Sequence, residues 1–100
     1  MIKMAKVVEA SMRPTLEPGD YLILTKARAL RPGFVVLVDH PKYGTIVKRV
    51  KSVSDDALVL EGDNLDESTS SEDMGRVPLN HVRSRVRWAV SPRWFGLKRL

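Results

Sequence analysis

The sequence predicts a small, mostly antiparallel β domain. Two observations lead to this fold class. β-branched and aliphatic residues fall in short runs, and those runs are separated by Pro-Gly and Asp-rich turns. Helix signals are weak: one turn is expected after Ser11, within Pro14 to Leu16. The length, 100 residues, suits one domain with one core and not two.

Taken in order, Met4 to Val8 is the first expected strand. Tyr21 to Thr25 follows the turn Glu17-Pro18-Gly19-Asp20, and Phe34 to Val38 follows Arg31-Pro32-Gly33. In both turns Pro fixes φ and Gly allows the positive φ of a type II turn. Asp39 to Gly44 reads as a loop, and Thr45 to Val53 returns as a strand paired with Phe34 to Val38. Ala57 to Leu60 is a short strand after Asp55-Asp56. Gly62 to Gly75 is polar and almost free of apolar anchors, so it reads as a loop. Val82 to Val90 is the last strand expected. The whole is expected as two packed, strongly bent antiparallel sheets in a single domain over 1–100, with a motif-bearing region at about 7–78 and a basic C-terminal strand and tail at 82–100.

Composition excludes several classes. Hydrophobic residues make up 43% and charged residues 29%, as in ordinary globular proteins. With no cysteine, neither a disulfide scaffold nor a thiolate metal site can form. His40 and His81 lack metal-ligand spacing, so neither a metal nor another cofactor is expected. No stretch approaches the roughly 20 apolar residues that cross a bilayer. Lys3, Lys6 and Glu9 interrupt any signal-peptide pattern at the N-terminus. A cytoplasmic protein is the simplest expectation. The tail carries Arg83, Arg85, Arg87, Arg93, Lys98 and Arg99 with Trp88, Trp94 and Phe95 interleaved. It suits weak contact with an anionic membrane surface; alternatively Arg83, Arg85 and Arg87 form the solvated face of a strand with Val82, Val86 and Trp88 near the core. Nucleic acid is not an expected partner.

Four local patterns carry chemistry. They are Ser11-Met12-Arg13-Pro14-Thr15-Leu16 closing on Pro18-Gly19-Asp20, Arg31-Pro32-Gly33 before an apolar run, Val47-Lys48-Arg49-Val50, and Gly62-Asp63-Asn64 with Asp66 and Ser68 behind. A serine hydroxyl is a poor nucleophile until a base takes its proton. Lysine, with an ordinary pKa of about 10.4, is protonated at neutral pH and serves as that base only if burial lowers the value. Lys48 lies among Ile46, Val47 and Val50, which occupy both faces of the strand. Alternation therefore leaves two arrangements open: Lys48 inward with Arg49 outward, or the reverse.

The order and spacing of the four patterns resemble the signal peptidase I family and its wider serine–lysine clan, which includes self-cleaving LexA-like repressors. The resemblance runs from about Val7 to Pro78. It implies that Ser11 attacks the scissile carbonyl and that Lys48 is its general base. Ser68 matches a second serine that orients the lysine amine. The Ser11 N–H would be one oxyanion donor, and Gly62, Asp63 and Asn64 would fix the site loop. Shallow apolar subsites would map to Val7, Val8, Met12, Leu16, Leu22, Ile46 and Val47. Val7 to Ala10 would be an open edge to which an extended peptide adds as a strand.

Three departures from the family pattern stand out. Glu9 replaces a Ser or Gly two positions before the nucleophile, and an ionised carboxylate there would repel an oxyanion. Ser70 and Glu72 stand where an Asp–Arg pair is usual. A chain without the membrane anchor or the large extra β domain of longer members is expected. Short anchorless members include the nickel-type superoxide dismutase maturation proteases. The expected partner is therefore a protein or peptide with an N-terminal leader, removed by a serine endopeptidase. Two other classes fit the motifs: a LexA-like self-cleaving domain, given a separation of 37 positions from Ser11 to Lys48, and a non-catalytic module that binds peptides or an anionic surface.

Overall fold

The computed structural model describes residues 3–64, 75–93 and 96–100. Eight strands occur among them: β1 (Lys3–Lys6), β2 (Tyr21–Thr25), β3 (Val35–His40), β4 (Gly44–Val53), β5 (Ala57–Glu61), β6 (Arg76–Pro78), β7 (Val82–Ser91) and β8 (Gly96–Arg99). The helical content among these residues is one 3-10 turn, Leu79–His81. No helix there is long and apolar enough to cross a membrane. The expected antiparallel β fold is present, but the two bent sheets are halves of one. The strand order is β1-β2-β7-β3-β4-β5-β6, with β8 alongside β7.

β3 is the hub. Val35, Val36, Leu37 and Val38 are all buried, so both faces of this strand are covered. An unbroken apolar run suits such a position better than alternation. Val35 and Leu37 join one cluster with Leu16, Leu22, Leu24 and Val86. Val36 and Val38 join the other with Ile46, Val50, Leu58, Leu60 and Val77. The sheet curls so that each face of β3 faces a different wing.

The turns follow their residues. Phe34 N–H donates to the Arg31 carbonyl at 3.2 Å, and Gly33 has φ +94° between them. This is the left-handed position that the Pro-Gly pair provides. At Glu17–Asp20 the Asp20 N–H donates to the Glu17 carbonyl at 3.0 Å, and the Asp20 carboxylate accepts from Glu17 N–H at 3.0 Å, so backbone and side chain close the turn together. The β3–β4 connection is tighter than the expected Asp39–Gly44 loop. β3 continues to His40, whose buried ring accepts at Nδ1 from Lys42 N–H (3.0 Å) and Tyr43 N–H (3.2 Å). A side chain in the turn does the work of a cap, and both strands gain residues.

β7 departs from simple alternation at two bulges. Its pairing with β2 skips Arg87, and its pairing with β3 skips Arg83. Each extra residue shifts the alternation by one. Arg83 and Arg87 are exposed, whereas Arg85 is half-buried with its guanidinium 3.5 Å from the centre of the Phe34 ring. The uniform solvated row of Arg83, Arg85 and Arg87 is thus not what forms. Trp94 and Phe95 lie outside the described residues.

Candidate active site

Ser11 opens a compact turn between β1 and β2. Arg13 N–H donates to the Ala10 carbonyl at 3.1 Å and Leu16 N–H to the Met12 carbonyl at 2.9 Å. Met12 and Leu16 are fully buried in the first cluster. Burying such a side chain contributes about 2 kcal/mol, so these two pin the turn to the core. Ser11 itself is 7% exposed and lines a cleft of about 310 Å³.

The faces of β4 are resolved. Ile46, Lys48 and Val50 are buried, while Val47 and Arg49 are half-buried on the other face. Lys48 is paired with Val36, itself fully buried, and is 3% exposed. Of the two arrangements the sequence leaves open, Lys48 inward is the one that forms. Desolvation holds its pKa below the ordinary 10.5, and the negative charge of Glu9 opposes that shift. Glu9 also lines the cleft beside Ser11.

Arg49 is not merely a solubilising partner on the outer face. Its Nε and one terminal nitrogen each donate to the Asp63 carboxylate at 2.8 Å, and the other donates to the Gly33 carbonyl at 2.8 Å. The Thr15 hydroxyl donates to the same carboxylate. The hydrogen bond from Arg49 is the main reason that the Asp63 pKa lies below 3.8. Asn64 adds two further ties: its N–H donates to the Ser11 carbonyl at 2.9 Å and its side-chain amide to the Ala10 carbonyl at 3.0 Å. The Gly62–Asn64 corner therefore fastens the Ser11 turn to the strand that carries Lys48. Bidentate, charge-assisted contacts of this kind fix geometry as well as add energy.

The expected subsite residues divide. Val7, Val8, Met12, Ile46 and Val47 line the cleft. Leu16 and Leu22 are fully buried beneath it. Val7 is tied on both sides of its peptide, its N–H to the Asp20 carbonyl at 2.8 Å and its carbonyl to Gly19 N–H at 2.7 Å, while Val8 is 80% exposed. Ser68, Asp66, Ser70 and Glu72 lie outside the described residues. No group of three or more potential metal ligands occurs among the described residues.

Thr15 and Arg49 hold the site together, yet sequence reasoning gave them no such role. Their signal is positional: Arg49 follows the candidate base, and Thr15 lies inside the serine motif, but their common partner is Asp63, 48 residues beyond Thr15.

The fold and this arrangement define a peptidase-type β domain. The chain belongs to the Peptidase S24-like family, whose model matches residues 2–74. That span holds Ser11, Lys48 and the Gly62–Asn64 corner. No curated protein and no solved structure matches the chain.

Proposed function

We propose that the chain is a serine endopeptidase with Ser11 as nucleophile and Lys48 as general base, acting on an N-terminal leader in the cytoplasm. The observation that carries this reading is the buried amine of Lys48, whose pKa desolvation holds below its ordinary value. Lowering the pKa raises the fraction of neutral amine, the form that takes a proton.

The steps follow. Ser11 Oγ attacks the scissile carbonyl carbon and Lys48 Nζ takes its proton. The C–N bond breaks as Lys48 passes that proton to the leaving amine, which gives an ester on Ser11. Water then attacks the ester, Lys48 accepts its proton, and the carboxylate product leaves as Ser11 regains its hydrogen. The Ser11 N–H donates to the oxyanion, and the resemblance of its motif gives Ser68 the part of orienting the amine. Val7, Val8, Met12, Ile46 and Val47 receive small apolar side chains before the cut. No cofactor takes part.

The particular substrate we favour is the leader of a nickel-type superoxide dismutase, on the resemblance of the motif set. Incubation of the purified protein with that precursor tests it. The expected result is one cut at the leader junction, abolished in Ser11→Ala and in Lys48→Met. Cleavage that persists in folded Ser11→Ala would remove the proposal.

A second reading, self-cleavage, is favoured by the family match, since LexA-like repressors belong to the same wider clan. It predicts that the intact mass of the wild-type protein falls with time at alkaline pH while that of Ser11→Ala does not. A wild-type mass that stays constant while the leader is cut would exclude it.

A further inference from the structure

We infer that the open face of the β1-β2-β7-β8 wing is a docking surface for an anionic lipid bilayer. The register defines two rows across this face. One runs Lys6, Tyr21, Val90, Leu97, and the other runs Met4, Ile23, Trp88, Arg99. The opposite face carries Ala5, Leu22 and Ala89 into the core. Met4 is 64% and Leu97 60% exposed, and Tyr21 is exposed as well. Large apolar side chains gathered on one open face mark an interaction site.

The charges on this face share one sign. Lys6 lies over the Tyr21 ring at 5.8 Å, Arg85 stacks on Phe34, and Arg87 and Arg99 are exposed beside them. The four strands contain no Asp or Glu at all. Two copies of such a face would oppose cation to cation, which disfavours a second chain as the occupant. A nucleic acid would satisfy the cations but leave Met4, Ile23, Val90 and Leu97 against phosphate and sugar. A bilayer of anionic lipid satisfies both sets: headgroups meet Lys6, Arg87 and Arg99, and the apolar side chains enter the headgroup–acyl boundary. Tyr21 and Trp88 are the amphipathic rings that favour that boundary.

The face adjoins the candidate cleft. Met4, Lys6 and Val8 also line it, so docking holds its mouth at the lipid surface, within reach of a peptide that emerges there. This goes beyond the peptidase reading and does not depend on it.

Flotation of the full chain with vesicles tests the inference, using phosphatidylcholine alone and phosphatidylcholine mixed with phosphatidylglycerol. Arg99→Gln and Leu97→Asp alter exposed positions of β8 outside the core. Lys51→Gln removes the same charge from the other wing. The expected result is flotation with the mixed vesicles and little with phosphatidylcholine alone. Arg99→Gln weakens binding about fivefold, the factor for one basic residue at an anionic surface. Leu97→Asp weakens it by at least as much, and Lys51→Gln leaves it unchanged. Circular dichroism and melting confirm that each variant is folded. Equal flotation with both vesicles, none with either, or an equal loss in Lys51→Gln would overturn the inference. So would a two-copy mass abolished by Leu97→Asp without vesicle binding, or retention on duplex DNA without flotation. The assay reads binding alone, so failure here leaves the peptidase reading to its own test.

Discussion

The two wings of the sheet treat positive charge in opposite ways. In the wing from β3 to β6, Lys48 sits on a buried face with Val36, Ile46 and Val50. In the wing of β1, β2, β7 and β8, Lys6, Arg87 and Arg99 stand on an open face in water. A solvated cation costs the fold little and binds what comes to it. A buried amine opposes folding while it is charged, and burial shifts it toward the neutral form. The candidate base thus lies in one wing, while Ser11 lies in the β1–β2 turn of the other, whose outer face carries the solvated cations.

The largest effect that would break this division is on catalysis. Ser11→Ala is expected to lower leader cleavage by at least about a thousandfold, as loss of a nucleophile does in peptidases. Progress curves with the precursor measure it, and a loss of less than about tenfold would contradict the assignment.

Lys48→Met separates stability from function. It should abolish cleavage yet raise stability by about 1 kcal/mol, or about 4–8 °C in melting temperature for a domain of this size. The reason is linkage: the folded Lys48 pKa is depressed, so between that value and 10.5 the unfolded chain binds more protons. Wild-type stability therefore rises with pH through that window, and the penalty is fully present below the folded pKa. Lys48→Met should flatten this rise in urea melts taken along a pH series. A fall in melting temperature would indicate that Lys48 stabilises the fold instead.

Asp63→Asn tests the corner that joins the two candidate catalytic segments. Breaking the part-buried contacts to Arg49 and Thr15 should cost about 1–2 kcal/mol, discounted for the partial exposure of both side chains. The folded Asp63 pKa is depressed, so its contribution is present above 3.8 and is lost as pH falls through the folded value. The variant should lose that acid slope. Because the corner also fixes Ser11, cleavage should fall more than stability explains.

Glu9→Gln is the smallest and most diagnostic change. The Glu9 charge raises the Lys48 pKa, so its removal should shift the rising limb of the pH–rate profile to lower pH. An unmoved limb would mean that Lys48 is not the group titrating.

Much of this was legible in the sequence because local chemistry dictated it. Tyr21 to Thr25 lies between turns that Gly and Asp specify, and its strand has the expected bounds. β6 was not legible: Arg76–Pro78 offers one buried apolar residue, Val77, and borrows its order from β5. β8 reads as part of the basic tail because Leu97 is its one large apolar residue, all four of its residues are exposed, and only pairing with β7 makes it a strand. The inward turn of Lys48 was undecidable locally, since Ile46, Val47 and Val50 satisfy either face. Packing against Val36 decided it. The Arg49–Asp63–Thr15 contacts join three distant segments, and no local pattern predicts which acid a given Arg meets.

The most direct test of the central claim is mass spectrometry of the protein after treatment with a mechanism-based acylating reagent. A single adduct on the peptide that contains Ser11, lost in Lys48→Met and reduced as pH falls, is the predicted result. An unmodified Ser11 in the wild-type protein, or equal labelling with and without Lys48, would contradict the account.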